Sequence, residues 1–330
     1  RKIYCQQAVE RMQIPLPAAV IEKDFWVCWT LNLLNEIPEL TGNITFKGGT
    51  SLSKAWGLIE RFSEDIDIAI NRKVFGQHPP YGAEDAESNR QRKIRLEELE
   101  NKSSNFIREF LLPSLHKKIS SYLNPDEYTL KPIQKGNEVN LEFEYPGTLK
   151  NELGGLLPVV LIELVPRADE IPNEERKITP ILYEVFKDLF GEGSLNISTL
   201  SPARKFLEKL LFIHEILGGF NKGSERKSRY YYDLLKLYRA GVFDLIRDNR
   251  ELLQMVVEHR QTFFRYNTLD YAGILKHGVQ VIPPKESWAD WRSDYSRTTV
   301  MIYNDIPSFD DLMQFAAHLE KEFNEWVLNK

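Results

Sequence analysis

One short block constrains this chain more than any other feature. Phe46-Lys47-Gly48-Gly49-Thr50-Ser51-Leu52-Ser53-Lys54 is followed, after fifteen residues between Gly49 and Asp65, by Asp65-Ile66-Asp67-Ile68. Ile44-Thr45-Phe46 predicts a strand, Gly48-Gly49 a turn, Ser51 to Ile59 a helix, and Asp65 to Ile70 a second strand. Residues two apart in a strand share a face, so Asp65 and Asp67 point together while Ile66, Ile68 and Ile70 point into a core. Two carboxylates that close repel, and a divalent cation between them relieves the repulsion. Magnesium held this way is what phosphoryl or nucleotidyl transfer requires. Glycine lets the backbone approach a bulky anion, and a helix start offers free N–H groups. Gly48, Gly49 and the hydroxyls of Thr50 and Ser51 therefore suit the phosphates of a nucleotide. Alone, Asp-x-Asp reads as a solvated strand edge and Gly-Gly as a simple turn; their ordered combination carries the functional reading. A Walker A loop is excluded because Ser53, not glycine, precedes Lys54. Gly49-Thr50-Ser51-Leu52-Ser53 lacks the last glycine of a nucleophile elbow.

The rest of the chain sets the frame for this block. Its 330 residues are enough for about two domains. Net charge is −5, so no overall cationic field draws in nucleic acid, and RNA contact needs a local basic patch. Cys5 and Cys28 fit neither a zinc site nor a disulfide framework, which points to a reducing cytoplasm. The longest apolar run, Leu156 to Val165, contains Glu163 and falls short of the roughly twenty residues of a membrane span. The first residues show no apolar signal-peptide core.

Residues 18–36 read as a helix preceded by Pro15 and Pro17. Residues 72–90, with His78-Pro79-Pro80, read as a loop. A charged helical stretch runs from Asp85 to about Tyr122, broken near Pro113. Two strands follow, Tyr128 to Ile133 and Val139 to Tyr145, and residues 158–165 read as a strand buried on both faces. Beyond about residue 195 strand signals fade, and helices are expected at 201–217, 228–240, 242–260 and 308–327. The expected architecture is therefore α/β (α+β): a mixed β-sheet domain flanked by helices over 1–195, then a helical domain over 196–330, with the boundary near Ser194–Ser201.

Further residues stand out on chemical grounds. Glu163 is the one charge in Val159–Val165, where an unpaired carboxylate is costly. It pairs with a cation such as Arg167, or it joins Asp65 and Asp67 as a third acid that binds metal or accepts a proton. Lys209 sits among Phe206, Phe212, Ile213 and Ile216, either snorkelling to solvent or facing a cleft. Asp233 follows three tyrosines and lies one turn after Arg229, a ready ion-pair partner. Arg204, Lys205 and Lys209, with Lys222, Arg226, Lys227, Arg229 and Tyr230 to Tyr232, set cations beside aromatics: a solvated helix face or an RNA-contacting surface. The six histidines show no paired spacing.

The strand–GG–helix–DxD pattern with a later acidic strand resembles the nucleotidyltransferase superfamily. Ile21-Glu22-Lys23-Asp24, Phe46 to Leu52, Arg61-Phe62-Ser63-Glu64-Asp65-Ile66-Asp67, Arg229 to Leu234 and Trp291-Arg292-Ser293-Asp294-Tyr295 resemble the AbiEii/AbiGii toxin family. The likeness covers roughly residues 15–325 and is loose over 72–130. It implies a nucleotidyltransferase-type sheet domain and a magnesium-dependent toxin, with manganese able to replace magnesium. Such an enzyme transfers a nucleoside monophosphate from an NTP to an acceptor hydroxyl. The implied acceptor is the 3′ end of tRNA, which would block translation, and the implied partner is a cognate antitoxin. The resemblance assigns metal binding to Asp65, Asp67 and Glu163, phosphate binding to Gly48, Gly49, Thr50 and Ser51, triphosphate binding to Lys209 and an active-site place to Asp233. Two alternatives stand beside it: the same chemistry on a protein or small-molecule acceptor, and a nucleotide-binding interaction module without turnover.

Overall fold

The computed structural model describes residues 1–12, 16–76, 81–149, 157–191, 193–220 and 226–329. The chain divides into two compact units, one of Arg1–Gly57 and Phe62–Leu200, the other of Leu58–Arg61 and Ser201–Lys330. The residue 195/196 boundary expected from the sequence falls at the start of the first unit's last strand, and a four-residue piece of the N-terminal half belongs to the second unit.

The first unit is built on a seven-stranded mixed sheet in the order β3-β4-β5-β2-β1-β7-β6. The strands are β1 (Ile44–Lys47), β2 (Ile66–Ile70), β3 (Thr129–Lys135), β4 (Glu138–Glu144), β5 (Val159–Val165), β6 (Asn173–Ile178) and β7 (Leu195–Leu200). β2 runs parallel to β5 and antiparallel to β1, which runs parallel to β7. One face carries Phe46, Ile68, Ile162, Leu141 and Phe143, all buried. Strand alternation puts Lys47, Asp67 and Glu163 on the other.

The helices are α1 (Lys2–Arg11), α2 (Ala18–Asn35), α3 (Gly48–Lys54), α4 (Asn89–Phe106), α5 (Leu112–Ile119), α6 (Ile181–Val185) and α7 (Lys187–Phe190). α2 is apolar on nearly all sides because it is buried, and its Trp26 and Trp29 rings lie 5.9 and 5.8 Å from that of Phe143. The break expected near Pro113 is a π-turn over Ile107–Leu111, with the proline in the first turn of α5. Pro15 and His78-Pro79-Pro80 lie outside the described residues; the loop expected around the latter holds two 3-10 turns, Arg72–Phe75 and Ala83–Asp85.

Four expectations are corrected. The helix after the glycines starts at Gly48 itself and stops at Lys54, not Ile59. β5 alternates, with Val160, Ile162 and Leu164 buried and the intervening residues half-buried, so it is not dry on both faces. β6 and β7 were not expected: Asn173-Glu174-Glu175-Arg176-Lys177 is charged on both faces because it is an exposed edge strand. The helix expected over 242–260 is two helices, separated where the Asn249 side chain accepts from Leu252 N at 3.1 Å and caps the second.

The second unit comprises α8 (Pro202–Leu217), α9 (Arg229–Arg239), α10 (Val242–Arg247), α11 (Arg250–Phe263), α12 (Tyr271–His277), α13 (Trp288–Thr298) and α14 (Phe309–Leu328). Phe243 anchors its core, stacked on Phe206 at 5.8 Å and tilted against Phe323 at 6.2 Å. Leu58–Arg61 is stitched to this unit by an antiparallel bridge between Arg61 and Ile302 and by a 3.1 Å bond from Tyr303 N to Glu60 O. Among the described residues no helix is long and apolar enough to cross a membrane.

Phe143 fills the space between α2 and the sheet and is wholly buried. Phe143→Ala is expected to lower stability by about 3–5 kcal/mol, read from the urea unfolding midpoint.

Candidate active site

β2 lies between β1 and β5, and its register decides which side chains meet. Asp67 is paired with Glu163 across the parallel β2–β5 ladder and with Lys47 across the antiparallel β1–β2 ladder. Neighbouring strands lie about 4.8 Å apart, so these three side chains form a row on the half-open face. β4 extends it: Asn140 Nδ2 reaches Glu163 Oε1 at 3.4 Å, a long contact. Arg167, the alternative partner for Glu163, pairs instead with Glu100.

Gly48 closes the row from the other side. Its φ of +81° is in the left-handed region, and a Cβ built there would lie 1.8 Å from Asp67 Oδ2. The residue must therefore be glycine on both conformational and steric grounds. Thr50 and Ser51 are buried, and their hydroxyls donate inward, Thr50 Oγ1 to Asp65 O at 2.5 Å and Ser51 Oγ to Gly48 O at 3.0 Å. With those protons spent on backbone carbonyls, the two side chains brace the turn and the strand behind it rather than offering donors to a ligand. Asp65 sits just before β2, half-buried, with its carbonyl tied to Thr50.

Among the described residues no three acidic, histidine or cysteine side chains come together as a metal cluster. The gathering of Asp65, Asp67 and Glu163 expected from the sequence does not form as a group of three among the described residues; Asp67 and Glu163 are register neighbours, and Asp65 lies just before β2. This donor set fits magnesium, which takes one or two carboxylates and keeps its other positions for water and substrate phosphates. Cys5 and Cys28 are buried free thiols, and burial pushes Cys5 up to about 11.

The second unit holds a different charged group. Asp233 is fully buried on α9 and accepts from Arg61 Nε at 2.7 Å and Nη2 at 2.8 Å, and from Lys209 Nζ on α8 at 2.7 Å. It does not pair with Arg229, whose guanidinium lies over the Tyr230 ring at 5.6 Å. Burial raises the Asp233 pKa, but Arg61 and Lys209 outweigh it and hold the carboxyl well below the usual range. Burial lowers Lys209 to about 8; Asp233 opposes this, while Lys205 and Arg61 add to it. Two cations share one anion, and Arg61 already matches Asp233 in bidentate fashion, so Lys209 carries the surplus charge.

The linkage follows from these shifts. Asp233 contributes stability above its ordinary 3.8 that is lost only as pH falls below that value. Lys209 releases its proton earlier in the folded chain than in the unfolded one. Stability from that group therefore rises between about 8 and 10.5 and is lost as pH falls through 8.

Arg61 was not singled out by the sequence as a site residue. No local spacing could reveal a pair separated by 172 positions. Asn140 carried a faint signal as a polar residue between Val139 and Leu141. The basic–aromatic surface expected around α8 and α9 does not form as such. Arg204, Lys205, Lys209, Tyr231 and Tyr232 are buried, Lys222 lies outside the described residues, and Arg226, Lys227, Arg229 and Tyr230 remain more open. Two cavities of about 280 and 330 Å³ open beside α2, and no candidate residue lines either.

Gly48→Ala is expected to displace Asp67 and to cost about 1–3 kcal/mol through the left-handed backbone alone. Urea unfolding reads the cost, and loss of activity equal to that of Asp67→Asn reads the displacement.

Comparison with curated proteins finds no match. Among solved structures, a similar chain is MenT4, a nucleotidyltransferase toxin of Mycobacterium tuberculosis H37Rv, at 15% identity over 99% of this chain and 98% of that one. Its TM-score is 0.42, too loose a likeness to carry an argument. The family model for the nucleotidyl transferase AbiEii toxin of type IV toxin–antitoxin systems matches residues 32–315. With most of its length matched, including the glycine turn, the acidic pair, Lys209 and Asp233, the chain belongs to the AbiEii nucleotidyltransferase toxin family.

Proposed function

We propose that this chain transfers a nucleoside monophosphate from an NTP to the 3′-terminal hydroxyl of tRNA and thereby stops translation, until a cognate antitoxin neutralises it. The observation that carries the reading is the Asp67–Glu163 pair in register on β2 and β5, against the one face of Gly48 where no side chain fits. Asp65 and Asp67 would hold magnesium, with Glu163 completing the acidic set; when bound, the metal offsets phosphate charge and polarises the reacting oxygens.

The chain's own groups divide the remaining work. Gly48 and Gly49 leave room for phosphate oxygens close to the backbone, while Thr50 and Ser51 hold the turn rigid. The family resemblance gives Lys209 its role on the triphosphate; within its own unit Asp233, which Arg61 also holds, fixes the Lys209 ammonium. The acceptor oxygen forms a bond to the α-phosphorus as the α–β bridging P–O bond breaks. The electron pair leaves with pyrophosphate, and Glu163 takes the acceptor's proton. RNA is the acceptor implied by family resemblance.

Purified chain incubated with each α-labelled NTP, magnesium and total tRNA is expected to label the tRNA 3′ end. Asp67→Asn and Glu163→Gln are each expected to cut the rate at least about a hundredfold. Label entering a protein extract or a small hydroxyl acceptor but never tRNA would replace the acceptor. No transfer to any of these, with toxicity on expression equal to that of Asp67→Ala, would leave a nucleotide-binding module.

A pH profile tests Lys209 separately. Its charge is lost near pH 8, so kcat/KM for the NTP is expected to fall as pH rises through that value. Lys209→Arg, charged throughout, is expected to remove the fall.

A further inference from the structure

Three consecutive charged residues of α2 are buried: Glu22 at 2%, Lys23 at 1% and Asp24 at 4% exposure. Successive helical residues point about 100° apart, so three in a row cannot share one partner. Each holds a different segment. The Glu22 carboxylate accepts from Thr148 N at 2.9 and 3.0 Å, Thr148 Oγ1 at 2.6 Å and Leu149 N at 3.0 Å, pinning the chain just after β4. The Lys23 ammonium binds the Glu64 carboxylate and donates to Leu157 O at 2.9 Å. Asp24 accepts from Lys54 Nζ at 2.8 Å and from Ile181 N at 2.7 Å.

The segments held are those that carry the candidate site. Glu64 immediately precedes Asp65; Leu157 lies just before β5, which carries Glu163; Lys54 ends α3, which begins at Gly48. Stability alone does not explain such an arrangement. Buried ion pairs pay heavy desolvation, and well-packed apolar residues of similar volume often hold a fold as well or better. What charged pairs add is a defined partner and register.

We infer that Glu22-Lys23-Asp24 is a positioning clamp for the transfer reaction, with Lys23 at its centre setting Asp65 and Glu163 relative to each other. The role rests on the proposed nucleotidyl transfer. Lys23 touches neither substrate nor metal; it acts through Glu64 and the Leu157 carbonyl.

The test compares wild type, Lys23→Met, the double variant Lys23→Met/Glu64→Gln, Asp67→Asn and Ile119→Val. The double variant leaves no unpaired carboxylate and stays informative if Lys23→Met fails to fold. Ile119→Val is a mild core truncation on α5, which includes none of the segments that the clamp holds. The double variant is expected to lose at least tenfold in kcat with KM for the NTP changed less than threefold. Its amide hydrogen exchange over 64–68 and 157–163 is expected to rise at least tenfold, while Ile119→Val shows neither effect. Wild-type kcat and exchange in the double variant, with Asp67→Asn inactive, would overturn the clamp and leave the transfer reaction standing. Absence of transfer by the wild type itself would overturn both.

Discussion

The first unit depends on a repulsion held in place. Asp67 and Glu163 occupy the same register position on neighbouring parallel strands, which lie about 5 Å apart, and like charges placed side by side there oppose the pairing that aligns them. The sheet tolerates this because the opposite face of the same strands is buried hydrocarbon, with Ile66, Ile68, Ile162 and Leu164 all but inaccessible. A one-residue slip of β2 would exchange those isoleucines for carboxylates, so the apolar face enforces a register that the acidic face resists. Lys47 on β1 and Asn140 on β4 flank the pair. Charge is thereby concentrated at one place on a half-open face, which is where an oxygen-seeking cation and its phosphate ligands are favoured.

The second unit solves the opposite problem. Its buried group is rich in cations: Arg61 and Lys209 converge on one carboxylate. Because Arg61 satisfies both oxygens of Asp233, Lys209 is held in place without being neutralised, and burial makes its proton easier to lose. Nearby in the same unit His214 accepts from Gln280 N at 2.9 Å.

Much of this was legible in the chain, and the misses have physical causes. The glycine turn, the acidic strand, α2 and the helical stretches over 201–217, 228–240 and 308–327 follow local rules of spacing and periodicity, and those rules are strong where one face is buried. β6 was missed because an edge strand need not be apolar, and its charged residues hide the alternation. The dryness of β5 was overestimated because Val159, Leu161 and Val165 look the same in sequence whether half or fully covered. Thr50 and Ser51 adjoin the glycines in the chain, and only packing shows that their hydroxyls donate to Asp65 O and Gly48 O.

By itself the sequence determined the chemistry available: small residues at a strand–helix turn, two carboxylates at strand spacing, a lone acid in an apolar strand and a lysine amid aromatics and isoleucines. These are properties of neighbours in the chain, and short-range stereochemistry is enough to read them. Tertiary structure alone decided who meets whom. It set Glu163 beside Asp67, placed Arg61 rather than Arg229 on Asp233, and gave each charge of Glu22-Lys23-Asp24 its own partner. Such choices depend on sheet order and helix packing across a hundred or more residues, where no local pattern distinguishes one acid–base pair from another.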